Sequence, residues 1–139
     1  MHLRDRDGAD DAYRDGAELL SPFAAAGGRF VVHCYAGNHE YLRRFLDLGA
    51  YVGVTGMVTF RAAENIRANL TAIPEEKLLI ETDSPYLAPV PFRGRENTPG
   101  LLVMTLAETA RVLKIAPEEL AEQTFRNAVE FYGLEGVGA

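Results

Sequence analysis

The chain has 139 residues, 47% hydrophobic and 24% charged, with 20 acidic against 14 basic side chains and a net charge of −6 when the histidines are neutral. That length is one ordinary domain, 1–139, and an eight-fold β/α barrel of roughly 250 residues cannot close from it alone. The composition excludes a disordered tail, and the acidic balance excludes broad electrostatic wrapping of nucleic acid, so an anionic substrate needs a local cation or a few placed arginines.

The opening, Met1-His2-Leu3-Arg4-Asp5-Arg6-Asp7, is highly charged and lacks the apolar centre of a signal peptide. Its Asp5-Arg6-Asp7-Gly8 stretch does not fit a calcium-binding loop. Tyr13, Ala17, Leu20 and Ala24 then recur at helical spacing up to Gly27-Gly28. Arg29–Cys34 is apolar and β-branched, a buried strand. Asn38 caps a helix through Tyr41, Leu42, Phe45, Leu46 and Leu48, with Gly49 as its stop. Ala50–Val54 is a second strand, followed by Thr55-Gly56 and a helix from Arg61 to Thr71 that Pro74 cannot continue. Lys77–Thr82 is the third strand, and a loop rich in proline and arginine runs from Asp83 to Pro99. Two helices follow, Leu101–Lys114 and Pro117–Phe131; Pro117 suits a first helical position, and Glu118 and Glu119 suit the positive end of the dipole.

Alternation of strand and helix with short connections predicts an α/β fold of parallel strands with flanking helices on both faces. Less than half a barrel is expected, with the loss at the front. The single Cys34 excludes an internal disulfide and suits a reducing compartment, and no apolar run approaches the ~18 residues of a membrane span. A cytoplasmic protein without a membrane partner is the expectation.

In such folds reactive groups gather at the carboxyl ends of the strands. His33 ends the first strand and Asp83 follows the third, fifty residues on. Each has an ordinary alternative: a histidine bonded to a loop carbonyl, and an aspartate starting an Asp-Ser-Pro turn. Glu81 tilts the balance, because it lies two residues before Asp83 on the same strand face, and two like-directed carboxylates are costly unless a cation or a base compensates them. His39 reads as a solvated helix start, Cys34 as small core packing, and Arg93 and Arg95 as loop residues able to grip a phosphate. The sequence has no glycine-rich phosphate loop, nucleophile elbow or paired-cysteine zinc motif.

Three blocks in order, Val32-His33-Cys34-Tyr35-Ala36-Gly37, Gly53-Val54-Thr55-Gly56-Met57-Val58-Thr59-Phe60 and Leu79-Ile80-Glu81-Thr82-Asp83-Ser84-Pro85-Tyr86-Leu87-Ala88-Pro89, closely resemble the TatD family of metal-dependent hydrolases. The stretch Pro91–Pro99 resembles the family's loop after its aspartate, and the match runs from about His2 to Leu134. The resemblance implies a partial TIM-type (β/α) barrel with its N-terminal strands missing. It also implies a hydrolase using two divalent metal ions, Mg2+ or Mn2+ with Zn2+ as a further candidate. Family members act as deoxyribonucleases, among them 3′→5′ exonucleases, so DNA is the implied substrate.

Carried over by position, His33 and Asp83 match metal ligands, and His2, with Arg4-Asp5 behind it, matches a third. Tyr35 and Ala36 stand where the family usually has Phe and Ser. Asp83 would also act catalytically, as orienter or base of the attacking water, and Tyr86, Arg93 and Arg95 would touch substrate. The family's leading His-x-His pair and bridging glutamate have no counterpart here, and His2 would hang from a frayed chain end. Poor catalysis by the isolated chain is therefore expected, and so is either self-association through exposed sheet edges or an origin as a truncated reading frame of a longer enzyme. Two other readings remain open: an amidohydrolase-like enzyme acting on an amide or ester, and a non-catalytic remnant serving as an interaction module.

Overall fold

The computed structural model describes residues 1–3, 10–134 and 136. It is an α/β fold in which helices α1 (Asp11–Ala25), α2 (His39–Asp47) and α3 (Glu64–Leu70) alternate with strands β1 (Val31–Val32), β2 (Tyr51–Val54) and β3 (Leu78–Ile80). Helices α4 (Leu102–Leu113) and α5 (Pro117–Tyr132) complete the chain. All three strands are parallel in the order β1-β2-β3, with Val32 beside Val52 and Val52 beside Leu78. Among the described residues no helix is long and apolar enough to cross a membrane.

The local signals operate as the sequence predicts. Asn38 caps α2, its side-chain oxygen accepting from the Tyr41 amide at 3.0 Å, and Gly49 takes the left-handed conformation (φ 82°) that turns the chain from α2 into β2. Pro117 opens α5 as expected, and Gly133, which sequence reasoning did not single out, closes it in the left-handed region.

Three elements are clearly shorter than expected: β3, which covers Leu78–Ile80 of the expected Lys77–Thr82, and two others for identifiable reasons. Instead of spanning Arg61–Thr71, α3 begins at Glu64, because the preceding carbonyls have another donor. Arg67 donates to Val58 O at 2.9 Å, Phe60 O at 2.7 Å and Arg61 O at 3.0 Å, which holds that stretch in a tight turn. The first strand stops at Val32 because Cys34 leaves the extended region altogether, at φ 52°.

Strand alternation divides the sheet. One face carries Val32, Val52, Val54 and Leu78, which join Leu42, Phe45, Val58 and Leu70 in the hydrophobic core. The opposite face carries His33 and Gly53. The N-terminal residues extend the sheet beyond β1: His2 pairs with His33 in a parallel bridge, and the His33 amide donates to Met1 O at 2.8 Å. Met1 and Leu3 pack against the core. The frayed end expected for His2 is therefore corrected: a ladder pairing and two apolar anchors hold it.

Candidate metal centre at the strand ends

Parallel strands bring their carboxyl ends to one rim, and His2, His33, Glu81 and Asp83 meet there. The bridge between His2 and His33 places the two imidazole rings with centroids 5.5 Å apart, tilted by 40°. His33 Nε2 lies 3.1 Å from Asp83 Oδ1, and its Nδ1 lies 2.7 Å from Glu81 Oε2. Three side chains separated by up to fifty residues in sequence thus share one contact chain. His2 is exposed, whereas His33, Glu81 and Asp83 are each about one-quarter exposed at the side chain.

Backbone geometry at the rim is unusual. Cys34 (φ 52°), Asp83 (φ 61°) and Leu87 (φ 55°) all occupy the left-handed region, where residues other than glycine pay a steric penalty. Such strain persists only where surrounding contacts enforce it. At Cys34 the enforcing bond is visible: its amide donates to Glu81 Oε1 at 2.6 Å. At Asp83 the loop is pinned from both sides by the buried Asn97, whose amide nitrogen donates to Thr82 O and Tyr86 O, each at 2.7 Å.

The other sequence expectations find varied places. Tyr86 is 70% exposed at the mouth of the loop. Arg93 lies with its guanidinium 3.7 Å above the Phe60 ring, and Arg95 is exposed nearby in the sequence. His39 is exposed at the start of α2, as expected. Cys34 is not simple core filler: it is half-buried at the rim, with Sγ 3.2 Å from Thr55 Oγ1 and 3.6 Å from Met57 Sδ. Burial pushes its thiol pKa up, and the neighbouring Glu81 and Asp83 carboxylates push the same way. Arg4 and Asp5, which belong to the resemblance around His2, lie outside the described residues.

Sequence reasoning noted Glu81 but gave it no place in the site, although its spacing from Asp83 was the signal. Asn97 carried no signal, because its role depends on carbonyls eleven and fifteen residues away.

Imidazole nitrogen and carboxylate oxygen are the donors that manganese, zinc and related divalent ions take. Two donors each about 2.1 Å from one ion and at right angles to it stand roughly 3 Å apart, close to the 3.1 Å between His33 Nε2 and Asp83 Oδ1. Glu81 on the far ring nitrogen supplies the outer carboxylate that metal-bound histidines ordinarily have. The donors are right in kind but few. Among the described residues no group of three or more His, Cys, Asp or Glu is arranged to hold a metal ion.

Residues 1–133 match the model of the TatD related DNase family, and the chain belongs to that family. YcfH of Escherichia coli K12, named an uncharacterized metal-dependent hydrolase, is 46% identical over 126 residues, which are 90% of this chain and 47% of YcfH. TatD of Mycobacterium tuberculosis H37Rv, named in the same way, is 38% identical over 123 residues, covering 88% of this chain and 46% of that protein. Among solved structures, the TatD homologue YjjV of Escherichia coli K12 superposes with a TM-score of 0.77 at 26% identity, over 84% of this chain and 45% of its own. A TatD family hydrolase of Entamoeba histolytica gives 0.78 at 20% identity over 94% and 48%, a likeness of fold alone. The chain spans about half the length of these relatives.

Proposed function

We propose that this chain is the strand-end part of a TatD-type deoxyribonuclease, built as a section of a (β/α) barrel, which hydrolyses DNA phosphodiester bonds with two divalent ions once its ligand set is complete. The observation that carries the proposal is the convergence of His2, His33 and Asp83 at one rim of a parallel sheet. Barrel enzymes place their reactive groups at that rim. His33 Nε2 and Asp83 Oδ1 would hold one ion between them, and the His2 ring beside His33 would serve the second. Bound there, Mg2+ or Mn2+, with Zn2+ as a further candidate, supplies a deprotonated water, neutralises phosphoryl oxygens and stabilises the leaving alkoxide.

The chain's own residues do the rest. Asp83 orients the attacking water and takes its proton; its left-handed backbone and the Asn97 clamp fix where that carboxylate stands. Tyr86 meets the substrate at the mouth of the site. Arg93 and Arg95 grip phosphate, and stacking on Phe60 holds the Arg93 guanidinium in one plane, which suits a fork of parallel N–H donors. These cationic groups also answer the net charge of −6, which otherwise repels DNA.

Two further parts of the reading concern the chain alone. Its catalysis is expected to be weak, because His2, His33 and Asp83 are fewer donors than two ions need. It is also expected to pair with a second copy. Neither the outer edge of β3, where Asn127 answers Leu78 O, nor the Met1–Leu3 edge has a strand partner among the described residues. Beside β3 lies an apolar groove of about 320 Å³ lined by Ile80, Leu102, Val103, Leu106 and Phe125. Val103 and Phe125 are exposed there, Leu19 and Phe23 are exposed on α1, and two copies have about the length of one relative.

The test combines a Mn2+ titration with cleavage assays on plasmid and single-stranded DNA. Expected are weak Mn2+ binding and slow, metal-dependent cleavage, both lost in His33→Ala and Asp83→Ala. Cleavage that survives in both variants overturns the site, and hydrolysis of amide or ester substrates without DNA cleavage favours the amidohydrolase reading. Sedimentation equilibrium tests the pairing, which a monomer at high concentration overturns.

A further inference from the structure

We infer that Glu81 is a positioning residue that fixes which nitrogen of His33 carries the proton, and that position 53 is glycine so that Glu81 can reach it. The inference rests on the metal-site reading for its purpose, though not for its geometry.

Both carboxylate oxygens of Glu81 are engaged. Oε2 sits 2.7 Å from His33 Nδ1, and Oε1 accepts the Cys34 amide at 2.6 Å. Two donors on adjacent residues fix the plane of the carboxylate as well as its position. The left-handed backbone of Cys34 aims the second donor. On the other side of the ring, Nε2 faces Asp83 Oδ1 at the longer distance of 3.1 Å. A neutral imidazole has one N–H to give, and the shorter, better-anchored acceptor takes it. In the neutral ring the proton of His33 therefore belongs on Nδ1.

That tautomer has a consequence for Nε2. It presents a lone pair toward a carboxylate oxygen that also presents lone pairs, an arrangement that a cation between them relieves. Glu81 thus turns His33 from a partner of Asp83 into a ligand beside it.

Gly53 completes the device. It lies on the same sheet face, and a Cβ built there would fall on the Glu81 carboxylate itself, against Oε1 and the carboxyl carbon. Its backbone φ lies outside the left-handed region, so backbone freedom does not call for glycine here. The missing side chain is space, and Glu81 fills it. The two residues are 28 apart in sequence, so no local motif announces the pair.

The test uses Glu81→Gln and Gly53→Ala in the full chain. The Cys34 amide can only donate and so keeps the glutamine oxygen, which turns the glutamine NH2 toward His33 Nδ1 and makes that nitrogen accept. Alanine at 53 displaces the carboxylate without changing any polar residue. Ring 15N shifts of His33, read without metal at a pH where the imidazole is neutral, report the tautomer directly. The natural chain is expected to carry the proton on Nδ1, and both variants to move it toward Nε2. Mn2+ affinity, read by electron paramagnetic resonance, is expected to fall ten- to a hundredfold in both. Should alanine at 53 prevent folding by circular dichroism, the near-isosteric glutamine variant carries the test alone. A proton on Nε2 in the natural chain overturns the inference, as does an unchanged tautomer in the folded variants. If the tautomer moves as expected but the natural chain binds no Mn2+, the positioning stands and the metal-site reading fails.

Discussion

On the core face of the sheet, Leu42, Phe45 and Val58 are wholly shielded from solvent, and Val32 and Val52 nearly so. At the strand-end rim of the same sheet, two carboxylates flank one histidine, three residues take left-handed backbone, and none of the contacting side chains is fully buried. The first region gains stability from each apolar atom removed from water. The second holds steric strain and crowded like charge, both of which work against folding. Core and rim lie on opposite sides of one thin layer, so the stability of the former can hold the latter in place. Substitutions should separate the two: core changes should unfold the protein, and rim changes should remove chemistry at little cost in stability.

The largest effect is expected from Phe45→Ala. Phe45 has no exposed surface, and truncating a buried phenylalanine costs about 3–5 kcal/mol. Urea melts should show the midpoint collapsing, whereas a loss under ~1 kcal/mol would mean that the core is not close-packed. Asp83→Asn should do the reverse. Asparagine tolerates the left-handed backbone that Asp83 adopts (φ 61°), and it removes one of two negative charges beside His33. The thermal midpoint should stay level or rise while Mn2+ affinity drops at least about tenfold. A fall in midpoint with unchanged affinity would reverse the contrast.

Left-handed strain away from the rim provides a control. Lys114 ends α4 at φ 61° with no link to the histidine cluster. Lys114→Gly should stabilise the chain by roughly 1 kcal/mol, since glycine is the ordinary residue at such a helix stop. The readout is again the urea midpoint. Cys34 tests the rim from another side. Burial raises its thiol pKa against the opposing Thr55 hydrogen bond, and Glu81 and Asp83 add to the rise, so less thiolate exists at a given pH than in an open peptide. Alkylation by iodoacetamide at pH 8 should be slower than for an unstructured cysteine peptide. In Asp83→Asn, which lacks one of the two carboxylates, it should speed up.

Much of this was legible in the sequence, for reasons that differ by level. Helix stops and caps were readable because their chemistry is local: Asn38 and its Tyr41 amide are three residues apart, and Gly49 needs no partner. His33 and Asp83 were readable because parallel strands bring their ends together and the motif blocks resemble a family. What remained hidden was set by distance along the chain. Arg67 shortened α3 by taking three carbonyls that no helical periodicity describes. Asn97 holds the Asp83 loop through Thr82 and Tyr86. Asn127 ties α5 to the entrance of β3 through Glu75 O at 2.7 Å and Leu78 O at 2.8 Å. Each is a side-chain N–H donor, guanidinium or amide, answering backbone carbonyls that the strands and helices leave unpaired, and such pairings are written only in three dimensions. The support for His2 was hidden similarly, because a short stretch joins a sheet only when a neighbour's open edge is there to receive it.

The smallest effect is expected from an ion pair on the exposed side of α4. Glu108 accepts from Arg111 Nε and Nη2, each at 2.8 Å, and these hydrogen bonds, against an opposing burial penalty, hold its carboxyl below the usual glutamate range. A lowered native pKa means that the folded chain holds the ionised form more tightly than the unfolded chain does. The stabilisation is therefore complete above the ordinary glutamate value of roughly 4.3 and is lost as pH falls through the lowered native value. Arg111 is two-thirds exposed, so water and salt screen the pair and leave its contribution small. Glu108→Gln should lower the urea midpoint slightly at pH 7 and leave it unchanged near pH 3. Because the pair lies outside the histidine cluster, the same substitution should not alter Mn2+ affinity. A change there would mean that α4 communicates with the rim, and the separation of core from chemistry would then have to be redrawn to include it.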